Sequence, residues 1–280
     1  MDNVGGKRPA APQDRQPRLA AGRARALGVA TRGTTHPNRL RRMDNWIAAE
    51  LAGRLAASAG PLVIDLGYGA TPITAVELLC RLRAIRPDVE VLGLELDAAR
   101  VLAAQPASGH GLRFARGGFE LAGQHPRLVR VANVLRQYPE SAVAGAWQVM
   151  RRQLAPGGAI VEGTCDELGR RASWVLLDAA GPISLTLSCR PTELGRPSDI
   201  APRLVKALIH RNVAGEPIHA LLRAMDLAWD QHASLAAFGN RQRWQAMCAQ
   251  LRGSWPVLGA PSRHRLGELT VAWSAVAPRE

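Results

Sequence analysis

The chain has 280 residues, 47% hydrophobic and 21% charged, enough to bury a core without help from disulfides or a metal. Its formal net charge is +13, and only two of its 36 basic residues are lysines, Lys7 and Lys206. Cys80, Cys165, Cys189 and Cys248 stand too far apart for a CxxC pair, no apolar run nears the about 20 residues of a membrane span, and the opening MDNVGGKRPAAPQDR lacks the apolar core of a secretory leader. These features predict a cytoplasmic protein with free thiols and no membrane association.

Residues 1–36 are rich in Pro, Gly, Ala and Arg without apolar periodicity, which predicts a disordered basic arm ahead of one domain over 37–280. Residues 1–42 hold ten Lys/Arg and two Asp/Glu, whereas the other 238 hold 26 and 21, so most of the excess charge is in the arm. Such an arm suits a solvated tail or docking on nucleic acid. Asp44 is placed to cap a helix whose inward face carries Trp46, Ile47, Leu51 and Leu55.

Alternation of strand and helix follows. Strands are predicted at 62–66, 89–94, 112–115, 128–132 and 159–162, and helices at 72–85, 98–104 and 141–154. Strands apolar on both faces and separated by helices imply a parallel sheet covered on both sides. Two further apolar strands, 183–189 and 269–276, flank about 80 mostly helical residues, an insertion placed at about 191–265. Glu216-Pro217 opens one helix there, with Ile218, Leu221, Leu222, Met225 and Trp229 as its stripe, and Trp244, Met247 and Leu251 mark a second over 241–251. The histidines show no metal-ligand spacing, so no metal is expected.

The most informative stretch is VIDLGYGATPITAVELL, residues 63–79. A buried strand ends in Asp65-Leu66-Gly67-Tyr68-Gly69 and a helix begins, with Pro72 where G-x-G-x-x-G would need a third glycine. Glycines there let a ligand approach the main chain, and ligands of open α/β sheets sit beyond the carboxyl ends of the strands. Glu95 closes the next strand, VEVLGLELD; a carboxylate there can accept hydrogen bonds from a ribose, and Asp97 beside it suits a helix cap. Leu154-Ala155-Pro156-Gly157-Gly158 stops a helix and reverses the chain into a strand.

The DxGxG bend, the acid closing the second strand, the LxPGG turn and the apolar last strand together resemble the class I S-adenosylmethionine-dependent methyltransferases, over roughly residues 38–190 and 266–277. The resemblance implies a Rossmann-like α/β sheet of seven strands, with the helical insertion between the last two and the final strand antiparallel beside the fifth. It implies S-adenosylmethionine as cofactor, held by Asp65, Gly67, Tyr68, Gly69, Glu95, Leu96, Gly118, Phe119 and Asn133, with Asn133 and Tyr138 facing the methyl group. Gly118 stands where many members carry an acid for the adenine, leaving the backbone of Gly118 and Phe119 and the Phe119 ring for that task. Neither N/D-P-P-Y nor Pro-Cys follows the fourth strand. Asn38 and Arg39 are candidates to close over the cofactor, Thr164 and Glu167 for a capping box, and the insertion, with Trp229, Trp244 and Trp255, for a cap over the site. The expected acceptor is a small molecule; a protein that binds the cofactor without catalysis, or docks on nucleic acid through its arm, is the alternative.

Overall fold

The computed structural model describes residues 35–57 and 60–279, so the expected arm lies almost wholly outside the described residues. After helices α1 (Arg41–Glu50) and α2 (Ala52–Ala56), the chain alternates through β1 (Leu62–Leu66), α3 (Ile73–Arg83), β2 (Glu90–Glu95), α4 (Ala98–Ala104), β3 (Leu112–Arg116), β4 (Leu128–Ala132), α5 (Val143–Arg151) and β5 (Ala159–Cys165). Then come β6 (Arg171–Leu177), β7 (Pro182–Cys189), α6 (Lys206–Ile209), α7 (Pro217–Gln231), α8 (Asn240–Leu251), β8 (Val257–Leu258) and β9 (Glu268–Ala272). One sheet takes them in the order β3-β2-β1-β4-β5-β6-β7-β9-β8. Its first five strands are parallel and the remainder antiparallel.

The sheet therefore has nine strands, not seven, and the final strand is not beside the fifth. That place belongs to β6, a strand absent from the expectation, while β9 pairs with β7 and β8. The cause is local. β5 runs on to Cys165, and the Asp166 carboxylate accepts from the backbone N–H of Arg170 and Arg171, turning the chain into a hairpin. Thr164 thus lies inside a strand, and no helix follows for it and Glu167 to cap. The mostly helical segment falls between β7 and β8, and Trp229 and Trp244 in α7 and α8 are buried in its core.

One face of the sheet, with Ile64, Leu92, Val129 and Ile160, packs in a single apolar cluster with α5, α7 and α8. The other, with Val63, Val91, Val161 and Trp174, packs against α1 and α3. Apolar residues on both faces are what a covered parallel sheet requires.

Asp44 does not cap α1. The helix starts three residues earlier, with Leu40 at its N-cap, and Asp44 is buried within it. It meets the fully buried Arg130 at the centre of β4, whose guanidinium also holds both oxygens of Asp65, at 3.0 and 2.6 Å, and donates to the Thr74 carbonyl at 2.9 Å. Arg81 reaches Asp44 from the rim at 2.7 Å. Burial alone lowers the Arg130 pKa, and the two carboxylates more than reverse it, so the guanidinium stays charged.

Residues 35–42 run across the carboxyl ends of the strands. Thr35 Oγ1 donates to the Tyr68 carbonyl at 3.3 Å, Arg39 Nε to Asp166 O at 3.0 Å, and Arg42 Nη1 to Leu266 O at 2.8 Å. Gly169, at φ +66°, lets the hairpin turn lie directly under this segment, because a Cβ there would run into the Arg39 carbonyl oxygen. Gly169→Ala is expected to cost about 1–3 kcal/mol, through strain and loss of this contact. Urea unfolding checks it, and an unchanged midpoint would contradict the packing.

Candidate functional site

The carboxyl ends of β1 to β5 place together the Gly67–Gly69 bend, Glu95, the Gly118–Phe119 turn and the 133–138 loop. The bend forms because Gly67 and Gly69 adopt φ of +73° and +89°, in the region that favours glycine. Gly67 N–H donates to the Leu94 carbonyl at 2.7 Å, which carries the β1–β2 pairing one residue past the strand.

Glu95 is buried, and its carboxylate turns onto the bend. Oε2 accepts from Gly69 N–H at 3.1 Å, and Oε1 accepts from its neighbour Leu96 N–H at 2.8 Å. Arg100, one turn into α4, stands 3.5 Å from Oε2. Asp97 caps α4, accepting from Ala99 N–H at 2.9 Å. Arg100 is a neighbour of this carboxylate that the sequence reading missed. Its only signal there was a cation within a turn of the Asp97 cap.

Tyr138 faces this carboxylate. Burial first, and the Glu95 charge second, raise its pKa, so the phenol keeps its proton at neutral pH. Its ring lies against Phe119, centroids 5.3 Å apart and planes tilted by 58°. Leu96 packs behind, since a Cβ on Gly118 would come within 3.2 Å of its side chain. The Gly118 N–H is taken by Glu120 Oε1 at 3.0 Å. Gly118 O in turn accepts from Leu121 N–H at 2.9 Å, so of the turn expected to meet the base the Phe119 main chain and ring remain.

Other expected ligands also bond within the fold. Asp65 has both oxygens on Arg130 and accepts from Thr74 Oγ1 at 3.0 Å. Tyr68 is buried edge-on against Phe114, centroids 5.2 Å apart, and its hydroxyl donates to the Arg100 carbonyl. Asn133, at φ +62°, ties the ends of β4 and β5: its Oδ1 accepts from Thr164 Oγ1 at 3.1 Å and Cys165 N–H at 2.9 Å, and its Nδ2 meets Cys165 Sγ at 3.3 Å. Asn38 and Arg39 are likewise engaged, Asn38 with Glu77 and Arg81 and Arg39 with Asp166.

The residues present fit the nucleoside end of an adenosyl cofactor better than its amino-acid end. A buried carboxylate beside a glycine bend suits a sugar diol, and the Phe119–Tyr138 pair suits a planar base. Val134 narrows the bend, its Cγ2 lying 2.5 Å from where a Gly67 Cβ would be, so main-chain groups of the bend are left for the other end. No group of three or more His, Cys, Asp or Glu among the described residues could hold a metal ion, and no helix among them is long and apolar enough to cross a membrane.

No protein-family model matches the chain, and no curated protein matches its sequence. Solved structures resemble part of it. Human N-acetylserotonin methyltransferase, in complex with S-adenosylmethionine, is 21% identical over 47% of this chain and 40% of its own, with a TM-score of 0.33. A pericyclic reaction enzyme is 22% identical over 41% of this chain and 30% of its own, at 0.33. The sugar N-methyltransferase KedS8 from Streptoalloteichus sp. ATCC 53650 is 16% identical over 64% of this chain and 81% of its own, at 0.38. The chain thus spans two fifths or less of the length of the first two.

Proposed function

We propose that this chain is a methyltransferase of the class I fold that uses S-adenosylmethionine and acts on a small molecule. One observation carries the proposal: the Glu95 carboxylate, at the end of β2, is turned onto the Gly69 N–H, with the Phe119–Tyr138 rings beside it. Glu95 would hold the ribose, Leu96 and Phe119 the base, and the Gly67–Gly69 main chain the remainder. The bound cofactor supplies an already activated methyl group. The protein's part is then mainly to align the acceptor and exclude water, and alignment of this kind contributes about 7–11 kcal/mol. Tyr138, holding its proton, can donate a hydrogen bond to the acceptor or the cofactor. Asn133 acts as a positioning residue, fixing the loop that carries Tyr138 to the end of β5.

Calorimetric titration of S-adenosylmethionine tests this directly. The wild type is expected to bind it and not NAD, and Glu95→Ala to lose roughly tenfold to a hundredfold in affinity, the worth of a hydrogen bond to a charged group. NAD binding in place of S-adenosylmethionine would overturn the proposal. Equal affinity in the variant would remove Glu95 from the site.

A further inference from the structure

Two arginines, Arg136 and Arg203, lie near each other at the 133–138 loop, and among the described residues neither is paired with a carboxylate. Arg136 lies two residues before Tyr138, and its Nη1 donates to the Pro202 carbonyl at 2.9 Å, which brings it against Arg203. The Arg203 carbonyl accepts from Ser173 Oγ at 2.6 Å. Ser173 pairs with Thr164 across β5 and β6, and the Thr164 hydroxyl bonds Asn133. This chain of contacts fixes Arg203, at the end of the 3-10 segment Pro197–Arg203, over the same strand ends as the candidate site.

Neither guanidinium forms an ion pair among the described residues, whereas Arg211 holds Glu140 and Glu216, and Arg196 holds Asp226 and Asp230. Half-burial, the nearby Arg203 charge and no countering carboxylate leave Arg136 with a lowered pKa; only the Cys165 thiol acts in the other sense. Two like charges held together at a partly desolvated rim are unfavourable unless an anion joins them. Arginine pairs of this kind match the planar or tetrahedral oxygens of a carboxylate or phosphate.

We propose that Arg136 and Arg203 form the anion-binding part of the acceptor site, so that the molecule methylated carries a carboxylate or a phosphate. The assignment of this anion to an acceptor rests on the methyltransferase proposal above; the anion site itself does not. It places the anionic group beside the 133–138 loop that carries Tyr138.

The test is titration of inorganic phosphate and, separately, of acetate into wild type, Arg136→Gln, Arg203→Gln and the double variant, at constant ionic strength set with chloride. S-adenosylhomocysteine binding is measured on the same samples. The expected result is that one of the two anions binds the wild type, that each single variant loses roughly tenfold in affinity, and that the double variant loses binding altogether. The preferred anion identifies which group the acceptor carries. Arg113→Gln, which removes an exposed partner of Glu90 far along β3, is expected to change nothing. Unchanged S-adenosylhomocysteine affinity in the double variant shows that the fold persists and confines the loss to the anion. Anion binding equal in wild type and double variant, or absent from the wild type, overturns the proposal. Anion binding that depends on both arginines in a protein that ignores S-adenosylhomocysteine keeps the anion site and overturns the methyltransferase reading instead.

Discussion

Arg130→Met is expected to cost about 3–5 kcal/mol of folding stability, because it leaves Asp44 and Asp65 buried without their shared cation. Asp44 and Arg130 are fully buried, and Asp65 nearly so. The two partners pull differently: burial raises Asp44, while the paired carboxylates raise Arg130. The charged state is the one the geometry satisfies, since one guanidinium donates to both acids and to the Thr74 carbonyl. Lysine cannot replace it, having no planar fork to span two carboxylates. Urea unfolding of Arg130→Met measures the loss. A second protein, with Asp44→Leu and Asp65→Leu added, is expected to regain most of it, because replacing a whole buried ionic group by apolar residues is often neutral. Wild-type stability in Arg130→Met would show that the triad is not a charged network.

Glu162→Gln is expected to abolish most of a pH dependence of stability that the wild type shows between about pH 5 and pH 8. Glu162 lies inside β5, fully buried, and burial pushes its carboxyl from 4.5 up to about 8; the Trp147 indole N–H beside it opposes weakly. Neither Glu162 Oε2 nor Trp147 Nε1 completes a hydrogen bond. Between these two values the folded protein holds a proton that the unfolded chain has released. Stability is therefore fully present below about pH 4.5 and falls as pH rises through about 8, by roughly 3–5 kcal/mol for this group. Glu268, raised to about 7 by burial despite Arg263, acts in the same sense, so the difference between wild type and variant isolates Glu162. Chemical denaturation at a series of pH values checks the slope. Parallel curves for the two proteins would mean that water reaches the Glu162 carboxyl.

The parallel half of the sheet was legible in the sequence because its strands are short, mainly apolar runs, three of them, β1, β2 and β3, closed by an acid or followed directly by glycine. β1, β2, β3 and β4 lie within a residue of their expected bounds. α7 was equally plain from its proline start and apolar stripe. β6 was not legible: RASWVLL has the same apolar character as its neighbours, and what makes it a strand is the hairpin set by Asp166, a single side chain bonding two backbone amides. In the site, Glu95 stands at the strand end where its spacing put it. Asp65 and Asn133 have the right residue types at the right positions, yet their partners lie 65 and 31–32 residues away in sequence. Only the folded arrangement shows that those oxygens are already spoken for. Arg136 and Arg203, 67 positions apart, are brought together in the same way.

The antiparallel extension has a consequence for how this chain can be shortened. β5, β6 and β7 are joined by tight turns and can form together, but β7 receives its second neighbour, β9, from about 80 residues further along. Any fragment that stops before residue 268 leaves the backbone amides and carbonyls of PISLTLSC bare along one side, and an uncovered apolar strand of eight residues is a template for self-association. The last strand thus acts as a cover that keeps the molecule from sticking to its own kind, and expression of shorter pieces would favour aggregates over a smaller folded unit.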